Sequence, residues 1–266
     1  MRAANLSIFA DTRHFVLGTG IWRAARIFGA ALLALAVKSA PCQVDSVGLP
    51  AQVPTAERMV VSKNQLRTPQ KAQQAIERAQ EDFLHARYDS AQRNVQRALD
   101  ICPHYALAFT FQGIINLRSG NNAEAASAFQ RAINEDPSAG SAYLGMGIVF
   151  NSEGRFREAI VPLDRAAPLL ASSWLLHFES TWAHLGIGDS AAGLRDATSA
   201  EVLAESDPEK LAGVAYLRGV AHFQMRDYDA ASRYFKEAVR HDPKGTFATL
   251  AKERAQQIGD DRTKER

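Results

Sequence analysis

Cysteine is scarce in this 266-residue sequence, with Cys42 and Cys102 the only two. Two thiols exclude a small disulfide-stapled fold and any zinc site built on four cysteines. Long hydrophobic runs are also missing. The one uncharged apolar run near the N-terminus, Ile27 to Val37 (IFGAALLALAV), has eleven residues. As a helix it spans about 16 Å, roughly half the hydrocarbon core, too short for a comfortable membrane span. Common catalytic signatures are absent as well: G-x-x-x-x-G-K-[ST], G-x-S-x-G, H-E-x-x-H and S-x-x-K do not occur. Nor is there an excess of positive charge for nucleic acid. The chain has 31 basic and 29 acidic groups, but five bases and one acid lie in residues 1–42, leaving 26 against 28. A body of net charge −2 has no general electrostatic reason to hold a polyanion. What is present, 46% hydrophobic and 23% charged residues, is the composition of an ordinary globular protein.

The N-terminal region reads as an export signal. Arg23 and Arg26 precede the apolar run, and Ser39, Ala40, Pro41 and Cys42 follow it. A basic flank, a short apolar centre and small residues after it are the pattern of a secretory segment, assigned to residues 1–42. The expected location is therefore periplasmic or extracellular, in a bacterium-like cell. If the segment is not cleaved, or if Cys42 carries lipid, the protein is instead tethered to a membrane. Residues 43–69, with Pro50 and Pro54 and no sustained period, read as a linker. Thr68-Pro69 supplies a cap and a first-turn proline to start a helix.

Beyond the linker the chain repeats itself. Ala98, Ala132, Ala166 and Ala200 are each 34 residues apart, and Ala91, Ala125, Ala159 and Gly193 precede them at one fixed distance. Ala86, Gly120, Gly154 and Gly188 form a third column, and Pro103 and Pro137 begin a fourth. A fifth copy, displaced by four residues, holds Gly219, Ala231, Phe235, Ala238 and Pro243. The best-defined unit, 106–139, predicts a first helix from about Ala106 to Arg118 and a turn at Ser119-Gly120-Asn121-Asn122. A second helix from Ala123 to Asn134 follows, ended by Asp136-Pro137. The small residues, Gly113 among them, imply that helices cross at close range, since glycine costs about 1 kcal/mol of helix propensity against alanine.

These columns resemble the tetratricopeptide repeat, a 34-residue helix–turn–helix family. The third unit carries its pattern as Tyr143, Gly147, Phe150, Gly154, Phe156, Ala159 and Ala166, with Leu163 for a phenylalanine and Pro162 expected to bend the second helix. The fourth unit departs most, with His177, Thr181, His184 and Gly193 at signature places. The resemblance implies an all-α, right-handed superhelical solenoid of about five repeats over residues 70–258. Phe247, Leu250, Ala251, Ala255 and Ile258 recur at helical spacing and predict a C-terminal capping helix. Residues 259–266 (GDDRTKER) read as a polar tail.

The same resemblance implies a function: a non-enzymatic scaffold that binds a peptide or helix of a partner protein on its concave face. Carried onto this sequence, the groove places hold Phe83, Leu107, Thr110, Ile114, Leu144, Ile148, Phe178, Trp182, Tyr216 and Phe223. Family members that clamp a terminal carboxylate put Lys, Arg and Asn there. Here the corresponding places hold Ile76, Gln80, Phe111, Ser141 and Gly145, so an apolar or amphipathic segment is the expected partner, with no nucleic acid, small-molecule substrate or cofactor. An alternative is a membrane-tethered assembly factor for an envelope complex such as a pilus, associated through residues 27–37 or Cys42. A third is metal or redox chemistry at His177, His184 and His222, which the repeat brings near one another; no carboxylate or cysteine stands beside them at ligand spacing. Gly186, Gly188 and Gly193 hint at a phosphate loop, but they fall at a repeat turn with no preceding strand.

Overall fold

The structure, a computed structural model, describes residues 68–264. The signal-like segment 1–42, Cys42 and nearly all of the linker lie outside them. The described residues form eleven helices and no strand, grouped into two compact units that meet in sequence at Ala139 and Gly140.

The first unit contains α1 (Gln70–Leu84), α2 (Tyr88–Ile101), α3 (Ala106–Arg118) and α4 (Asn122–Glu135). α1 pairs with α2 and α3 with α4, and α2 packs on α3. α3 has the bounds that its sequence suggested, and α4 is one residue longer at each end. α1 starts at Gln70, with Pro69 in the flanking place and no side-chain cap, slightly later than Thr68-Pro69 implied. The core is a line of small residues, Ala72, Ala79, Ala91, Ala98, Ala125 and Ala132, with Phe109 and Phe129 between them. Alanine brings two helix backbones close because it has no side chain beyond Cβ.

The second unit contains α5 (Gly140–Ser152), α6 (Phe156–Ala166), α7 (Trp174–Gly186), α8 (Ser190–Leu203), α9 (Pro208–Gln224), α10 (Tyr228–His241) and α11 (Thr246–Lys264). Consecutive helices pair as hairpins, and α7 also touches α5 and α9. Pro162 lies inside α6, which remains one continuous helix of eleven residues. The four-residue surplus before the fifth repeat becomes an extra N-terminal turn on α9, capped by Asp207, whose carboxylate accepts the Glu209 and Lys210 amide N–H groups, with Pro208 in the first turn. α11 packs against α9 and α10 as the capping helix expected. It runs through Gly259 to Lys264, where the sequence suggested a tail from Gly259. One glycine, with no proline after it, costs a helix too little to end it. Among the described residues no helix is long and apolar enough to cross a membrane.

Each hairpin turn is built alike. Gly120 N–H donates to Leu117 O and Asn121 N–H to Asn116 O, and the same pair of bonds recurs at Gly154, Gly188, Ala86 and Arg226. This is the double closure of a helix end by a left-handed residue. The glycine column of the sequence is therefore a column of left-handed backbone, with φ of 78°, 71° and 83°.

The close crossings lie within hairpins. A Cβ on Gly113 would sit 2.5 Å from the Phe129 ring, one on Gly219 2.5 Å from Phe235, and one on Gly147 2.5 Å from Leu163. The first-helix glycine is the socket for the large side chain of the second helix. The fourth unit has Thr181 in the socket and Ala197 opposite, both buried, so the sizes are exchanged and not lost.

Candidate partner-binding surface

In the first unit the four residues expected to line a groove are mostly core. Phe83 packs edge-on against Tyr88 and Phe111, with ring centroids 5.4 and 5.9 Å apart. Thr110 is buried and its hydroxyl donates to Ala106 O at 3.0 Å, and Ile114 is buried too. Leu107 alone of the four is half-buried. Beside this face Arg118 donates to the Tyr88 hydroxyl at 3.1 Å, tying α3 to α2.

In the second unit Leu144, Ile148, Phe178 and Tyr216 are buried, and Trp182 and Phe223 are half-buried. Phe178 stacks on Trp174 at 4.9 Å and meets Phe247 edge-on at 5.8 Å. Tyr216 lies between Phe235 and Phe247 at 5.9 and 5.8 Å. Gly213 leaves room for this cluster, since a Cβ there would lie 2.9 Å from Phe247 and 3.0 Å from Phe178. Burial raises the Tyr216 phenol above its usual ionisation, opposed by Arg254 from α11. Lys210, on the added turn of α9, sits over the Trp174 ring at 5.7 Å. The capping helix and the added turn thus close over aromatics that a repeat register alone leaves facing the groove.

The expected surface therefore needs correction. Phe83, Thr110, Ile114, Leu144, Ile148, Phe178 and Tyr216 are interior residues, while Leu107, Trp182 and Phe223 keep accessible surface. The repeat register identifies the side of the helix on which a residue lies. It does not reveal that Phe247 and Arg254 arrive from beyond the fifth repeat.

The three histidines do not converge. His177 Nε2 is 3.0 Å from Ala171 O, His184 Nδ1 is 2.8 Å from Asp196 Oδ2, and His222 Nδ1 is 3.2 Å from Asp227 Oδ2. His222 also stacks on Tyr234 at 5.2 Å. Each ring is engaged within its own hairpin or its adjoining loop. Among the described residues no three His, Cys, Asp or Glu side chains gather as metal ligands. Cys102 is a free, half-buried thiol.

One pair was missed by sequence reasoning. Glu179 and Asn151 are buried against each other between α7 and α5. The only sequence signal was an acid within the mostly apolar stretch Trp174-Leu-Leu-His-Phe-Glu.

Profiles of the tetratricopeptide repeat family match residues 76–139 and 112–173, and again 212–244. The unmatched stretch between them holds the divergent fourth unit. No curated protein matches the chain by sequence. Solved structures share its fold. A tetratricopeptide protein of Thermus thermophilus, TTC0263, is 17% identical, with a TM-score of 0.53 over 70% of this chain and 98% of its own. PilF of Pseudomonas aeruginosa is 16% identical, with a TM-score of 0.60 over 73% of this chain and 86% of its own. YrrB, described as a repeat protein with an unusual peptide-binding site, is 18% identical, with a TM-score of 0.54 over 67% and 90%. At these identities the likeness is one of fold.

Proposed function

The chain belongs to the tetratricopeptide repeat family, and from that premise we propose that it is a non-enzymatic scaffold that captures an apolar or amphipathic segment of a partner protein. The observation that carries the reading is the pair Trp182 and Phe223. These large aromatics keep accessible surface on α7 and α9, neighbouring helices of the second unit, while Trp174, Phe178 and Tyr216 on the same two helices are buried. Rigid stacked helices present such side chains with little loss of entropy on binding. Aromatic anchors of this kind often carry about 2 kcal/mol or more each.

The test separates binding from folding. Trp182→Ala should weaken capture of partners from an envelope extract while leaving the thermal midpoint close to wild type. Phe129→Ala, which empties the Gly113 socket, should cost about 3–5 kcal/mol of stability. If Trp182→Ala unfolds the protein as readily as Phe129→Ala and partners are lost only in proportion, Trp182 is core and this surface is not the site.

Export remains part of the proposal, supported by the run Ile27–Val37 behind Arg23 and Arg26. The same run favours a second reading, a tethered envelope assembly factor. Mass spectrometry of the mature N-terminus distinguishes them: loss of roughly 40 residues fits export and cleavage, and an intact segment or a lipid on Cys42 fits the tether. Soluble cytoplasmic protein that still begins at Met1 contradicts both.

A further inference from the structure

Glu179 on α7 is 5% exposed and Asn151 on α5 is 6% exposed. The Asn151 amide Nδ2 donates to Glu179 Oε2 at 2.8 Å and to the Glu179 backbone carbonyl at 3.0 Å. Its Oδ1 is buried with no hydrogen-bond partner. A buried amide oxygen left without a donor, on the amide that holds a buried carboxyl, is an unusual arrangement, because buried acceptors are nearly always paired.

We propose that Asn151 and Glu179 form a proton-operated latch between the α5–α6 and α7–α8 hairpins, closed when the Glu179 carboxyl is neutral and loosened when it ionises. The neutral acid has the proton the site lacks. A small rotation lets Oε1–H donate to Asn151 Oδ1 while Nδ2 continues to donate to Oε2, completing a two-bond acid–amide pair across α5 and α7. The ionised acid cannot donate. It leaves Oδ1 orphaned and places a charge in an apolar interior.

The surroundings favour the neutral form near pH 7. α7 packs against α5, α6, α8 and α9. Among the described residues no charged group on those helices acts on Glu179; burial pushes its ionisation up to about 7, opposed only by the Asn151 amide. His184, on the same helix, is engaged with Asp196 of α8 and forms a separate pair.

The sign follows from proton counting. Between the ordinary glutamate value of 4.5 and about 7, the closed latch holds a proton that an opened one has lost. Rising pH therefore favours opening, by up to about tenfold per unit, and the effect levels off above 7. The His184–Asp196 pair changes only above about pH 6.5. Glu209 on α9 is also raised, by burial and by Asp242 and Asp207, so the fall on α5 and α7 from pH 5 to 6 is assigned to Glu179 by its loss in Glu179→Gln.

The experiment is amide hydrogen exchange of the full chain from pH 5 to 8, corrected for intrinsic rates and read on α5 and α7. Wild-type protection should already fall between pH 5 and 6, below the range in which the His184–Asp196 pair on the same helix contributes. Glu179→Gln, which keeps a carbonyl for Nδ2 and an amide for Oδ1, should abolish the fall. Wild-type protection that does not change between pH 5 and 6, or an equal fall in Glu179→Gln, overturns the latch. Should that variant not fold, infrared titration of the wild type decides. A protonated carboxyl band that persists to about pH 7 supports the latch, and its complete loss by pH 5 overturns it.

Discussion

Ala86, Glu205 and Arg226 hold left-handed backbone, with φ of 58°, 55° and 62°, without glycine's freedom to do so. Two of them occupy the turn place that Gly120, Gly154 and Gly188 fill elsewhere, and they make the same closing bonds. For an alanine or arginine this conformation costs roughly 1–2 kcal/mol, part of which glycine returns as lost entropy on folding. Ala86→Gly and Arg226→Gly should therefore each stabilise the protein by about 0.5–1 kcal/mol, read as a higher urea midpoint at unchanged slope. A lower midpoint in both variants would mean that the turns are not strained. Glu205 belongs to the irregular link before α9 and has no counterpart in the column.

Among elements, the hairpin is the unit of packing, and its key contact is the glycine socket. Gly219 receives Phe235 and Gly113 receives Phe129, so an added methyl must displace a ring held between two helices. Gly219→Ala gains helix propensity of about 1 kcal/mol but meets that obstruction, and overpacking of this kind costs about 1–3 kcal/mol. Thermal unfolding of Gly219→Ala should thus show net destabilisation. Gly259→Ala, where a Cβ would meet nothing, should show none. Equal gains in both would mean that the socket can widen freely. The added turn of α9 and the arrival of α11 belong to this scale as well, since they cover Trp174, Phe178 and Tyr216 and so determine which aromatics remain accessible.

At the scale of the whole molecule, stability near neutral pH depends on a few partly or wholly buried ionisable groups. His184 is raised above its ordinary value of 6.5 by its hydrogen bond to Asp196, against the effect of burial. A raised histidine contributes stability that is complete below its unfolded value and is lost as pH rises through the folded one. Denaturation midpoints should accordingly decline above about pH 6.5, and Asp196→Asn should flatten that decline. An undiminished decline in Asp196→Asn would assign it to another group.

The sequence by itself determined the repeat, its period, the turn places and the bounds of α3, because each rests on local rules: helical spacing, a left-handed residue after a helix, and proline where a helix must end. It also placed the small residues correctly, since a close crossing demands glycine or alanine whichever helix supplies the other side. The tertiary structure alone decided which apolar residues are surface. Phe178 and Tyr216 stand at groove places in their own repeat, yet Phe247 and Arg254 are distant in sequence and reach them only when α11 folds back on α9 and α10. The Asn151–Glu179 pair was hidden for the same reason. Burial is a sum over neighbours from several helices, and no window along one helix contains that sum.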